Sequence, residues 1–318
     1  MTLHSVFLAL ATASLALAPA AASAQRPLKV YISVDMEGIA GVVSPEQLGP
    51  SGFEYASARQ WMTSETLAAI QGAREAGATE IVVSDSHGNG QNLLIDQLPA
   101  DVTVIRSWPR PLMMMEGIDS TFSAAVFIGY HASTSNSRGV RAHTMSSATL
   151  TGVAINGQQM PEGGVNAAIA GHFGVPVVAM SGDDAAVEEV QRFTGPLEGA
   201  VVKRAISFHA AATMTPKAAQ ELIRLKVKAG VERRASARPF VLRARHAERV
   251  TAANVSVTHP VRQAALAVMP VTRAAPPLPS PTMSPRVHAV SAGYGARSGW
   301  YVSANSMNRD TSRMFRPT

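Results

Sequence analysis

Asp35 and Glu37 stand two residues apart at the end of an alternating, β-rich stretch, so a backbone that stays extended projects both carboxylates to one side. Two carboxylates held together at neutral pH repel unless a cation or a proton lies between them. His87, in Asp85-Ser86-His87-Gly88, and His131, in Gly129-Tyr130-His131, each follow another apolar stretch, and imidazole nitrogen is a donor that zinc accepts. Glu162 precedes Gly163-Gly164 and can close the set; His143 lies between, in Arg141-Ala142-His143-Thr144. With no cysteine in the chain, any metal must sit on His, Asp or Glu. Each residue also has a bland reading. Asp35 and Glu37 can cap a turn, His87 and His143 can be solvated loop residues, His131 can be a satisfied core histidine, and Glu162 can simply favour a helix N-terminus. The case for a metal rests on their convergence.

Convergence needs elements that deliver these residues to one place. Leu28 to Val34, Glu80 to Ser84, Val102 to Ile105 and Ala124 to Ile128 read as strands, three of them running into the polar residues above. Ala56 to Ala76 reads as an amphipathic helix stopped by Gly77. The turn signal Asn156-Gly157 suggests a β-hairpin. Helices are expected over Glu162 to His172, Asp183 to Phe193 and Pro216 to Ala229, and strands over Val175 to Met180 and Val201 to Ile206. Such alternation predicts an α/β fold: a largely parallel sheet flanked by helices, with a β-rich insertion and a smaller C-terminal part. In an open parallel sheet, ligands bind outside the carboxyl ends of the strands.

Composition sets the frame for this core. The 318 residues are 46% hydrophobic and 16% charged, a globular balance that argues against wholesale disorder or a multi-span membrane protein. The net charge of +6 is unevenly placed: residues 1–230 carry −4 and residues 231–318 carry +10. Basicity belongs to the tail, so the core offers no nucleic-acid footprint. Val6 to Ala22, ending in Ala22-Ser23-Ala24, has the form of a signal peptide cut after Ala24, which predicts a periplasmic or secreted protein with no stable membrane anchor once cleaved. The expected organisation is therefore a signal peptide over 1–24, a catalytic α/β core over 25–230, a partial C-terminal segment over 231–273 and a Pro/Arg-rich, unfolded tail over 274–318.

Four motifs in order carry a family resemblance: Ser33-Val34-Asp35-Met36-Glu37-Gly38-Ile39, Ser84-Asp85-Ser86-His87, Phe127-Ile128-Gly129-Tyr130-His131-Ala132 and Glu162-Gly163-Gly164-Val165-Asn166-Ala167. With Val177-Val178-Ala179-Met180-Ser181-Gly182-Asp183-Asp184 they resemble zinc D-aminopeptidases of the DppA type over roughly Leu28 to Ser207. The resemblance implies two Zn2+ per subunit bridged by Asp35, one ion also taking Glu37 and His131, the other His87 and Glu162. It assigns the family's further active-site histidine, described as a nucleophile, to His143. It also implies short peptides beginning with a D-amino acid as substrates, and a homo-oligomeric ring whose sites face an inner chamber. In physical terms, two cations about 3.5–4 Å apart bring a water's pKa toward neutrality and clamp an oxyanion. Whether His143 attacks or moves a proton is left open by the residues themselves.

Rival readings use the same residues. A dinuclear phosphoesterase or amidohydrolase needs cationic side chains beside the metals, for which Arg138 and Arg141 are the candidates. A periplasmic receptor would hold zinc or peptide without turnover and would not need His143. The chain lacks G-x-x-x-x-G-K-[ST], H-E-x-x-H and G-x-S-x-G, which removes the usual support for nucleotide, zincin and serine-hydrolase chemistry. Met113-Met114-Met115 reads as a core or oligomer contact, because thioether sulfur selects copper(I). The Arg-rich end reads best as an out-of-frame remnant of the family's C-terminal domain, ahead of a polyelectrolyte arm or a plain disordered tail.

Overall fold

A computed structural model describes residues 27–242 together with the short strands Val255–Val257, Val290–Ser291 and Tyr301–Ala304. The expected signal peptide and the 274–318 tail lie outside the described residues, apart from two of those strands. Among the described residues no helix is long and apolar enough to cross a membrane.

Chain order begins with β1 (Lys29–Val34), α1 (Tyr55–Glu75), β2 (Glu80–Asp85), β3 (Thr103–Ile105) and β4 (Ala124–Tyr130). It continues with the two-residue strands β5 (Ala154–Ile155) and β6 (Gln158–Gln159), then α2 (Glu162–His172), β7 (Val177–Asp183) and α3 (Asp184–Thr194). β8 (Glu198–Ser207), β9 (Ala210–Thr213) and α4 (Pro216–Glu232) complete the core. Seven strands form one sheet in the order β3-β2-β1-β4-β7-β8-β9. All neighbours are parallel except β8 and β9, a hairpin at the edge. The sheet is thus the α/β arrangement expected, and β5 with β6 forms the hairpin signalled by Asn156-Gly157, both residues at positive φ.

Period-two patterning explains the layering. Val30, Ile32 and Val34 face one side with Val126 and Ile128, where α1 and α4 pack through Met62, Ala69, Ile70, Ile223 and Val227. Tyr31, Ala125, Phe127 and Met180 face the other side, against α2 and α3. Met113–Met115 form a short, buried 3-10 turn, of which Met114 and Met115 join this second core as apolar fillers. Strands buried on both faces read as continuous apolar runs, which is why β4 and β7 stand out in sequence.

The topology fixes where a site must lie. From β1 the chain goes outward through β2 to β3, then crosses to the opposite side of β1 as β4. The strand order therefore switches direction between β1 and β4, the place beyond the carboxyl ends of the strands where open parallel sheets gather their ligands. The core does not stop at residue 230. α4 runs to Glu232, and Phe240 closes on α2 and α3, its ring 5.6 Å from that of Phe193.

Candidate metal centre

Three adjacent strands end at this switch point, and each delivers a candidate. β1 runs into Asp35 and Glu37, β2 into His87 and β4 into His131. Glu162 is the first residue of α2, and His143 sits on the loop that leads toward β5. Asp35, Glu37, His87, His131 and Glu162 are all buried, and His143 is half-buried. All six meet.

Asp35 lies at the middle. Its Oδ1 is 3.2 Å from His87 Nδ1 and its Oδ2 is 3.3 Å from His131 Nε2. Glu37 Oε2 approaches the same His87 nitrogen at 2.9 Å. On the other side, Glu162 Oε1 is 3.5 Å from His131 Nε2 and 3.7 Å from His143 Nε2. Donor atoms of Asp35, Glu37 and His131 lie within 4.8 Å of one another, the set that the resemblance gives to one ion. A second set within the same limit is His131, His143 and Glu162. His87 is paired with Asp35 and Glu37. Opposite charge accounts for it, each imidazole seating itself against its nearest carboxylate.

Every imidazole has one nitrogen tied to a backbone carbonyl. His87 Nε2 donates to Leu48 O at 2.8 Å, His131 Nδ1 to Ala132 O at 3.0 Å and His143 Nδ1 to Arg141 O at 2.8 Å. A carbonyl only accepts, so the proton must sit on that nitrogen, and the opposite nitrogen is left to face the carboxylates. This orientation by an outer hydrogen bond is what a metal-ligating histidine requires. Asp35 Oδ2, Glu37 Oε2 and His131 Nε2 are buried without a hydrogen-bond partner. Buried polar atoms left unpaired are costly, so a cluster of them marks a place built for something else to bind. Oxygen and nitrogen donors in this number fit a divalent transition ion.

Electrostatics point the same way. Burial pushes the Asp35 carboxyl up, and the adjacent Glu37 carboxylate adds to the rise. Burial also acts upward on Glu37, but the charge of His87 outweighs it and holds that carboxyl well below its usual range. For Glu162, burial is likewise outweighed by His131, and the net displacement is downward. Burial opposes charge on His87 and His131, yet the carboxylates Glu37 and Glu162 outweigh it and raise both imidazoles well above their ordinary value. The cluster demands positive charge, and a bound cation would take the place of those protons.

Most of the supporting residues stand inside the motifs above, where residue type assigns them no role, and Asn92 and Lys203 stand outside them. Asp85 accepts from the backbone N–H of Asn92 and Leu93, and Asn92 Nδ2 donates to His87 O, which folds the His87 loop back on β2. Beneath the ligands, Ser33 Oγ bridges Ser86 Oγ at 2.8 Å and the Tyr130 hydroxyl at 2.7 Å, and Asn166 donates to that hydroxyl. Asp183 caps α3 through Ala186 N and accepts from Val140 N, anchoring the loop that carries His143. Lys203 of β8 is buried and donates into the loop after β1, burial pushing its ammonium down to about 8. Of the remaining histidines, His172 is exposed at the end of α2 and His209 sits beside Arg141, neither at the cluster.

A mostly parallel sheet flanked by helices on both faces, with carboxylates and imidazoles gathered at its switch point, defines an α/β protein with a candidate metal site. A family model described as D-aminopeptidase matches residues 28–277, and the chain belongs to the D-aminopeptidase family. It is 35% identical over 216 residues to a D-aminopeptidase of Bacillus subtilis (strain 168), covering 67% of this chain and 77% of that protein. A solved structure, the Zn-dependent D-aminopeptidase DppA from Bacillus subtilis, described as a self-compartmentalizing protease, is similar with a TM-score of 0.65 and 34% identity. That match covers 67% of this chain and 77% of the other. The chain is thus a peptidase by family, as the sequence motifs implied.

Proposed function

We propose that the protein is an exported, zinc-dependent aminopeptidase that removes an N-terminal D-residue, D-alanine foremost, from short peptides, with two zinc ions held by Asp35, Glu37, His87, His131 and Glu162. The observation that carries this reading is the unpartnered Asp35 Oδ2 at 3.3 Å from an equally unpartnered His131 Nε2, with Glu37 and Glu162 on either side. The Zn-dependent relative supports the choice of metal.

Zinc bound here would supply a Lewis acid for the scissile carbonyl and a water acidic enough to ionise near neutral pH. The protein's own part follows from its geometry. His143, its Nδ1 fixed on Arg141 O, presents Nε2 at the half-open side of the cluster, where it accepts the proton of the attacking water and returns it to the leaving nitrogen. A phosphoesterase reading loses its cations. Arg138 is paired at 2.6 Å with the exposed Glu188, and the Arg141 guanidinium lies over the Phe208 ring.

Export rests on the Val6 to Ala24 segment, and a homo-oligomer on two supports: the self-compartmentalizing relative and the exposed side chains of Phe53, at 86%, and Ile206, at 74%. The decisive experiment couples metal analysis of purified protein to hydrolysis of D-Ala-D-Ala and L-Ala-L-Ala. Two zinc equivalents and cleavage of the D,D-dipeptide alone are expected. Zinc retained with neither dipeptide cleaved would convert the reading to a receptor.

A further inference from the structure

Between Glu37 and Val42 the chain makes a buried loop that must turn the two carboxylates of β1 toward the cluster. Gly38, Ile39 and Val42 donate their N–H groups to backbone carbonyls, and side chains from remote elements take several of the remaining peptide groups. Ala40 N donates to Glu65 Oε1 of α1 at 2.9 Å, and Gly41 N to Thr213 Oγ1 of β9 at 2.8 Å. The carbonyls of Glu37, Ile39 and Val42 all accept from one atom, Lys203 Nζ, at 2.5, 3.0 and 2.5 Å. An ammonium has three protons, so none remains for a carboxylate. Lys203 is 2% exposed. Burying an ammonium is unfavourable, and here it is offset by three carbonyl acceptors, of which only that of Ile39 also accepts from a backbone N–H, that of Val42.

One of those carbonyls belongs to Glu37, and the loop they shape begins two residues after Asp35. Catalytic constellations tolerate only about 0.5 Å of displacement before they lose efficiency. We infer that Lys203 is a positioning residue for the metal centre: its ammonium gathers the Glu37, Ile39 and Val42 carbonyls and so fixes the approach of the Asp35 and Glu37 carboxylates to the ion. The inference rests on the metal centre proposed above. It assigns Lys203 no contact with substrate or metal. No alternation or motif signals this role, because the partners are main-chain atoms more than 160 residues away.

The test uses the full chain and the variants Lys203→Met, which removes the donors, and Lys203→Gln, which keeps two. Zinc dissociation constants are measured by competition with a chromophoric chelator, and hydrogen exchange is followed for the amides of residues 38–42 with chelator present. Val227→Ala, a cavity in α4 away from the loop, is the matched destabiliser and is expected to lower Tm without moving zinc affinity. Lys203→Met is expected to weaken zinc binding 10- to 100-fold, the range of outer-shell substitutions, and to accelerate loop exchange at least about tenfold, with Lys203→Gln between it and the parent. If Lys203→Met does not fold, Lys203→Gln alone bears the comparison. Unchanged affinity and exchange in a folded variant overturn the inference. Should the parent bind no zinc, the metal centre itself fails, and the exchange measurement alone then decides whether Lys203 holds the loop.

Discussion

The imidazoles of His131 and His143 lie face to face, ring centroids 4.0 Å apart and 8° from parallel. Of the two rings, His131 is buried and His143 is the more exposed. His131, enclosed by Asp35 and Glu162, is the one that faces the cluster on its buried side. His143 is left to work as the exchangeable partner. His143→Ala is therefore expected to retain both zinc equivalents while turnover of a D,D-dipeptide falls about 10²–10⁴-fold, the range for loss of a positioned proton carrier. Metal content and kcat measured on one preparation check it; loss of zinc in parallel with activity would make His143 a ligand.

Among the described residues, Asp35 is the one carboxylate within ion-pair distance of both His87 and His131. Asp35→Asn keeps the shape and removes the charge, and it is expected to abolish the second zinc equivalent and lower kcat/KM at least about 10³-fold. Stability should respond in a characteristic way. A ligand at 1,000 times its Kd stabilises by about 4 kcal/mol, so chelator should lower the Tm of the parent by several degrees. In Asp35→Asn the chelator should have little effect, while the chelated variant should be no less stable than the chelated parent, since a buried carboxylate pushed toward protonation has been replaced by a neutral group. Calorimetry with and without chelator reads both.

Much of this site was legible because parallel strands announce themselves. β1, β2 and β4 are apolar runs that stop abruptly at polar residues, and the rule that ligands gather at strand ends then names Asp35, Glu37, His87 and His131. Helix α2 was bounded correctly by Glu162 and His172. β9 escaped notice because Ala210-Ala211-Ala212-Thr213 has neither alternation nor large apolar residues, and its place at the sheet edge is fixed only by pairing with β8. Lys203 and Glu65 escaped for a different reason. Each sits inside a regular element, and the groups it binds are backbone atoms of a distant loop, which leave no trace in residue type.

Gly129 offers a test of how tightly the strand ends are registered. Its φ is 72°, and a Cβ there would lie 2.2 Å from Asp35 O, while its own carbonyl accepts from Gly38 N at 2.7 Å. The two glycines let the chain after β1 cross directly over the end of β4, which is how the Asp35 and His131 side chains come within 3.3 Å. Gly129→Ala combines a left-handed backbone with a main-chain clash and is expected to cost about 3 kcal/mol or more. Denaturant unfolding would show it, and a variant that retained parental stability would mean that the strand ends are looser than the structure has them.

Glu65 yields the pH dependence. Burial pushes its carboxyl up to about 8, against which the hydrogen bond from Ala40 N is the largest opposing influence, and its second oxygen, Oε2, has no partner. In the unfolded chain the same group titrates near 4.5. Between those values the folded protein binds the proton and the unfolded chain does not, so stability falls as pH rises. The contribution is complete below about 4.5 and lost as pH passes through about 8. Glu65→Gln imitates the protonated acid and keeps the acceptor for Ala40 N. With chelator present throughout, the parent should lose stability relative to Glu65→Gln by an amount that grows from pH 5 to pH 8 and reaches about 3 kcal/mol near neutrality. Urea midpoints collected across that range measure the difference directly, and a difference independent of pH would mean that Glu65 folds with its charge intact.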